Sequence, residues 1–234
     1  MFDHEHEMTN TAVRWLGREG FAVKHEFSTP WGVCDLVGVI YDEERVAQRL
    51  AYGQKRPISS IARAAALLKI PDVESGDALN LAQLRSRLPG FSPTLIRSEV
   101  DRLIVDGFVH RQPCGSLQKR NGWAPLHTRL VAVELKLRRI EEAMRQALRH
   151  LGFASESYVA LPAQAADRVL ARPERWARYL EAGVGVLRLT PQTCRVSIRS
   201  TESCELVDPA IQLLCADRFW TPHLQAVQHQ GLSD

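Results

Sequence analysis

No Cys-x-x-Cys pair occurs in this sequence, and there is neither an internal repeat nor a low-complexity tract. No apolar run approaches the roughly 20 residues that a membrane span needs. The longer ones, such as Val131 to Val133 and Val184 to Leu187, fall far short. The first residues, Met1-Phe2-Asp3-His4-Glu5-His6-Glu7, are acidic where a signal peptide would be basic and then apolar. These absences argue against a membrane protein and make a cytoplasmic one the expectation. The cysteines, Cys34, Cys114, Cys194, Cys204 and Cys215, are odd in number. That argues against a secreted disulfide framework or a structural zinc site, and for buried reduced thiols.

What is present is ordinary globular composition. Over 234 residues, 45% are apolar and 24% charged, enough for one large domain or two small ones. The net charge of +3 is unevenly spread. Arg45 to Arg120 holds 13 Lys+Arg against 6 Asp+Glu, whereas the remainder holds 17 against 21. A basic block in a slightly acidic frame suits contact with a polyanion, although a solvated surface would look the same.

Periodicity orders the chain. Glu5, Met8, Ala12, Trp15 and Leu16 share one face of a helix from His4 to Arg18, ended by Gly17 and Gly20. Two strands follow, Phe21 to Phe27 and Val33 to Tyr41, joined by a turn containing Pro30 and Gly32. Asp42 to Arg56 is polar and reads as a linker or lid helix. Helices are predicted from Ile58 to Leu68, from Asn80 to Leu88 and from Ser92 to Asp106, the last with Ser92 as N-cap and Pro93 as first helical residue. Gly107 stops it, and Phe108 to Arg111 reads as a short strand. After a loop from Gln112 to His127 come a strand, Arg129 to Leu137, and a helix, Arg138 to Leu151. Strands Ser157 to Leu161, Val184 to Leu189 and Arg195 to Ile198 alternate with helical stretches at Ala163 to Leu170 and Pro173 to Ala182. Asp208 to Val227 reads as helical, broken at Pro222. Alternating strands and helices predict an α/β layer fold.

One triplet carries chemistry. Glu134-Leu135-Lys136 lies in an apolar strand, so Glu134 and Lys136 share a face and Leu135 takes the other. Burying either charge alone costs several kcal/mol, roughly. The two must pair or hold something between them. Asp35 repeats the theme inside Val33-Cys34-Asp35-Leu36-Val37. Were the strands neighbours, two carboxylates and an ammonium would converge, a donor set suited to a hard divalent ion. A buried ion-pair network that fixes strand register is the other reading.

The order helix, strand, Asp-bearing strand, Glu-x-Lys strand, helix, strand resembles the PD-(D/E)XK, or restriction-endonuclease-like, nuclease superfamily over residues 1–41 and 129–161. The resemblance implies Asp35 as the first acid, in a Cys-Asp rather than a Pro-Asp setting, Glu134 as the second and Lys136 as the lysine. It implies Glu5 as the first-helix glutamate, with Glu7 on a different face, and Gln146 as the glutamine of the following helix. The implied cofactor is Mg²⁺ (or Mn²⁺), held by Asp35, Glu134 and the backbone carbonyl of Leu135. His4, His6 and His25 are read as incidental.

The 98 residues between Asp35 and Glu134 exceed the family's usual spacing. Within them, three short helices, a glycine and a hairpin signal resemble a winged helix-turn-helix over about 55 residues, including Ser98-Glu99-Val100-Asp101-Arg102-Leu103. The implied architecture is a nuclease-like core in two parts, 1–44 and 129–234, with an inserted winged-helix domain at 45–128 beside the active site. Arg85, Arg87, Arg97, Arg102, Arg111, Lys119 and Arg120 are the expected nucleic-acid contacts, mostly to phosphates, which position without specifying sequence. Arg138, Arg139, Arg145 and Arg149, mixed with Glu141 and Glu142, read rather as a solvated helix face. The expected partner is nucleic acid, DNA before RNA, with a homodimer or proteins of a defence or repair system as further partners. The rival expectations are a non-catalytic DNA-binding or regulatory protein on a nuclease-like scaffold, or an interaction subunit of such a system.

Overall fold

Side-chain alternation and helix caps account for most of the architecture in the computed structural model, which describes residues 2–120, 124–201, 206–221 and 223. Helix α1 (Glu5–Arg18) buries Met8, Ala12, Trp15 and Leu16, the face expected from their spacing. Strands β1 (Ala22–Thr29) and β2 (Gly32–Tyr41) pair antiparallel through the turn at Pro30. Asp42 then caps α2 (Glu43–Ala51), its side chain accepting from the N–H groups of Glu44 and Arg45, so the polar linker is a helix. Ser60 caps α3 (Ile61–Lys69), Asn80 and Gln83 close a capping box on α4 (Leu81–Ser86), and Ser92 with Pro93 starts α5 (Pro93–Val105). Gly107, at φ 79°, lets the chain leave α5 through a left-handed residue.

Strands β3 (Val109–Arg111) and β4 (Leu117–Lys119) form a separate antiparallel hairpin. The sequence read β4 as loop, because three residues are too few to show alternation. Strand β5 (His127–Leu135), helix α6 (Ile140–His150), strand β6 (Glu156–Pro162), helix α7 (Ala163–Leu170), short helix α8 (Ala177–Leu180), strands β7 (Val184–Leu189) and β8 (Cys194–Ile198) and helix α9 (Pro209–Asp217) follow. The expected helix from Pro173 to Ala182 is a 3₁₀ turn at Pro173–Trp176 followed by α8. The helical expectation from residue 224 to Val227, and Cys204, lie outside the described residues.

The six-stranded sheet has the order β1-β2-β5-β6-β7-β8 and is mixed: β5, β6 and β7 run parallel, while β1/β2 and β7/β8 are antiparallel. Helices flank it, as the α/β expectation requires. On one face Val131, Val133 and Leu135 of β5 and Tyr158 and Ala160 of β6 pack on α1. On the other, Val159, Leu161, Val184 and Val186 pack on Ala143, Met144 and Ala147 of α6 and on α7. Period-two alternation thus sends Glu134, of opposite parity to Val133 and Leu135, toward α6. Gly185 is needed for close packing: a Cβ there would lie 2.5 Å from the Tyr158 ring.

The chain divides into two compact units. One comprises Met1–Ile40 and His127–Asp208 and contains the sheet; the other comprises Tyr41–Leu126 and Pro209–Asp234. The second has its own core, built from Leu67, Leu84, Ile96, Val100, Leu103 and Phe108. Its terminal helix departs from the sequence reading, which grouped 129–234 together. In α9, Leu213 joins that core, and Asp217 forms a bidentate pair with Arg49 at 2.6 and 2.9 Å. Among the described residues no helix is long and apolar enough to cross a membrane.

Candidate metal centre and arginine-lined cleft

Asp35, Glu134, Lys136 and Glu5 come together in the sheet-containing unit, although 98 residues separate the first two. Asp35 Oδ2 accepts a 2.7 Å hydrogen bond from the backbone N–H of Leu135. Glu5 Oε1 accepts one of 3.3 Å from the N–H of Leu137. The two carboxylates therefore take the peptide N–H groups on either side of Lys136. Lys136 Nζ lies 3.3 Å from Glu134 Oε1 and 3.7 Å from Glu5 Oε2. Directly opposite Asp35 in the β1/β2 ladder sits Glu26, at φ 45°, between the pairs His25–Leu36 and Phe27–Cys34. A positive φ in a non-glycine residue is strained, and this one borders the cluster.

The electrostatics follow from burial and mutual proximity. Burial, then the nearby Glu134 carboxylate, raise the Asp35 pKa, and the Leu135 N–H and Lys136 offset them only in part. Burial alone would lower the pKa of Lys136, but the charges of Glu134, Asp35 and Glu5 outweigh it and the ammonium is held above its usual value. Two carboxylates close enough to repel, one of them nearly fully buried, are the donor set of a hard divalent cation, which would relieve the repulsion. Asp35 and Glu134 thus fit the group expected from the sequence.

Two residues that the sequence reading did not assign to the site touch it. His150, on α6, places Nε2 3.2 Å from Glu134 Oε2. Cys34, beside Asp35, puts its Sγ against the carbonyls of Leu36 and Val133, at 3.2 and 3.7 Å. The available signal was a histidine on the otherwise apolar face of α6, four residues after Gln146. Gln146 makes no hydrogen bond to the carboxylates; its Oε1 is buried without a hydrogen-bond partner among the described residues. His4 and His6 stack on each other at 5.4 Å, and Glu7 accepts from the N–H of Asp3.

A second feature of the same unit is a cleft of about 820 Å³ walled by Arg138, Arg139 and Arg145 from one segment and Arg168, Arg172 and Arg175 from another, with Trp176 in its lining. Arg139 pairs with Glu142 at 2.9 Å, and Glu141 is taken by Arg178 at 2.7 Å. Arg138, Arg145 and Arg172 have no ion pair among the described residues, so the cleft keeps uncompensated positive charge. The sequence reading took Arg138, Arg139 and Arg145 as a solvated helix face; Arg168, Arg172 and Arg175, brought alongside by the tertiary structure, make that face one wall of a cleft.

The nucleic-acid contacts expected in the helical unit fare unevenly. Arg87, Arg97 and Arg120 are exposed, and Arg85 is half-buried. Arg102 is bound to Glu99 at 3.1 Å and Arg111 to Asp101 at 2.8 Å. Lys119 is buried and lies 3.5 Å from Asp72, which leaves its ammonium engaged within the protein. Arg56, Arg63, Arg97 and Arg102 line a cleft there together with Asp101 and Asp106, and Arg56, Arg63 and Arg102 are held in ion pairs with Asp106 or Glu99.

No protein-family model matches the chain, and no curated protein or solved structure matches it significantly.

Proposed function

We propose that the chain is a metal-dependent nuclease of the PD-(D/E)XK type that hydrolyses phosphodiester bonds of nucleic acid, DNA before RNA. The observation that carries this reading is the convergence of Asp35, Glu134, Lys136 and Glu5 from two strands and a helix onto one end of a mixed sheet. The arginine-walled cleft in the same unit supports a polyanionic substrate.

In this reading Asp35 and Glu134 hold Mg²⁺ or Mn²⁺ with the Leu135 carbonyl. The chemistry supplied by the bound ion is polarisation of a phosphoryl oxygen and acidification of a water. Lys136, surrounded by carboxylates and charged, donates hydrogen bonds to the attacking water or to the oxygens that gain charge in the transition state. Glu5 and Asp35, by binding the N–H groups of Leu137 and Leu135, fix the backbone on either side of that lysine. Gln146, on α6, is read as positioning the nearby backbone. The helical unit is read as a winged helix-turn-helix whose exposed arginines add phosphate contacts that position a strand without reading it.

The test is Mn²⁺ binding by the wild-type protein, set against Asp35→Ala and Glu134→Ala. Micromolar-to-millimolar binding lost in both variants supports a built metal site. Absence of binding in all three leaves the carboxylates as an ion-pair network and transfers the function to the helical unit, as a non-catalytic DNA-binding protein.

A further inference from the structure

The Glu134 carboxylate faces two ways. Its Oε1 lies 3.3 Å from Lys136 Nζ, on the side of Asp35 and Glu5, while its Oε2 lies 3.2 Å from His150 Nε2. On the His150 side a thiol joins them: the ligand atoms of Cys34, Glu134 and His150 all lie within 4.8 Å of one another. The three come from β2, β5 and α6, and are 0%, 1% and 3% exposed. Thiolate, imidazole and carboxylate together are the donor set of zinc and its thiophilic neighbours, not of Mg²⁺, which takes oxygen.

We propose that Cys34, Glu134 Oε2 and His150 form a second metal site, for a thiophilic divalent ion of the Zn²⁺ class, which shares Glu134 with the hard-ion site. Bond lengths of about 2.0 to 2.3 Å put two donors of a tetrahedral ion about 3.3 to 3.8 Å apart. Glu134 Oε2 and His150 Nε2, at 3.2 Å, already stand near that spacing, and the Cys34 thiol, within 4.8 Å of its partners, closes the set by a side-chain adjustment. Binding costs the thiol its contacts with the Leu36 and Val133 carbonyls. His150 Nδ1 has no partner among the described residues, so the imidazole's polar contact is with Glu134 alone. Ligation replaces that contact with a metal bond and releases the thiol proton to solvent. Coordination through Oε2 also draws Glu134 toward Cys34 and His150. The thiophilic ion therefore weakens Mg²⁺ binding, and Mg²⁺ weakens it by the same factor. This coupling rests on the nuclease reading; the site itself does not.

The experiment is titration of the full-length, metal-free protein with Co²⁺ alone, followed by absorbance. Expected is a saturable thiolate-to-cobalt charge-transfer band in the near ultraviolet, retained in Asp35→Asn and lost in Cys34→Ser. His150→Gln, which keeps a donor to Glu134 but removes the imidazole, serves as the second arm and loses the band as well. Near-ultraviolet circular dichroism matching the wild type establishes that each variant is folded. No band in the wild-type protein, or an undiminished band in folded Cys34→Ser or His150→Gln, overturns the proposal. Cleavage by Mg²⁺ with no cobalt band removes this site and keeps the nuclease. A Cys34-dependent band without any cleavage keeps this site and removes the nuclease.

Discussion

Asp35 Oδ2 accepts a 2.7 Å hydrogen bond from the backbone N–H of Leu135, which anchors the acid of β2 to the peptide between Glu134 and Lys136. This bond links two strands that neighbour each other in the sheet but are distant in sequence, and it stands where one carboxylate meets another of like charge. The arrangement is costly without a cation, and the consequences can be measured.

Asp35→Asn is expected to raise the melting temperature of the metal-free protein at neutral pH. The sign follows from the raised Asp35 pKa. The folded state binds the proton more tightly than the unfolded chain, so the stabilisation is fully present below the unfolded value and is lost as pH rises through the folded one. The advantage of Asn over Asp therefore appears at pH 7 and closes toward pH 3. Mn²⁺ should raise the wild-type midpoint and leave that of Asp35→Asn unchanged. A variant less stable than wild type at pH 7 in EDTA would mean that the Leu135 hydrogen bond outweighs the repulsion.

Lys136→Ala is expected to lower Mg²⁺-dependent cleavage by about 10²- to 10³-fold, the usual effect of removing one preorganised donor from a transition state. Oligonucleotide affinity, measured by anisotropy without divalent metal, should not change. Cleavage by this variant at the wild-type rate would remove Lys136 from the chemistry.

The arginine cleft makes a prediction about salt. Arg145→Ala combined with Arg172→Ala should flatten the plot of log affinity against log salt by about 1.4 for a single strand, or about 1.8 for a duplex, as expected when two phosphate contacts disappear. Arg97→Ala with Arg102→Ala, where Arg102 is already held by Glu99, should change the slope less. The opposite ranking would move the strand to the helical unit.

In the helical unit, Asp217→Ala should destabilise by about 3 to 5 kcal/mol, because it strands a buried guanidinium. Arg49 is 2% exposed and also donates to the carbonyls of Gln54 and Arg56, beneath Trp220 at 4.3 Å. Urea unfolding followed by tryptophan fluorescence reads the loss. A change below about 1 kcal/mol, the scale of an exposed pair, would show that water reaches Arg49.

Much of this was legible along the chain. Helix α1 could be drawn from Met8, Ala12, Trp15 and Leu16, and α5 from Ser92, Pro93 and Gly107, because caps and apolar spacing are local. Glu134 and Lys136 stood out because charges inside an apolar strand are expensive, and that cost is visible in sequence. Strand β4 was missed, being only three residues long, and of the two readings of Asp42 to Arg56, linker or lid helix, the Asp42 cap decides for a helix over Glu43–Ala51.

The sequence by itself determined the elements, the parity that puts Glu134 on one face and Leu135 on the other, and the residue types able to hold an ion. Their assembly was decided by the tertiary structure alone. It joined Asp35 to Leu135, set His150 and Cys34 beside Glu134, closed Arg168, Arg172 and Arg175 around the arginines after β5, and gave α9 to the helical unit. The physical reason is that periodicity and capping act over a few residues, whereas strand order, helix docking and the pairing of buried charges depend on contacts between segments far apart in the chain.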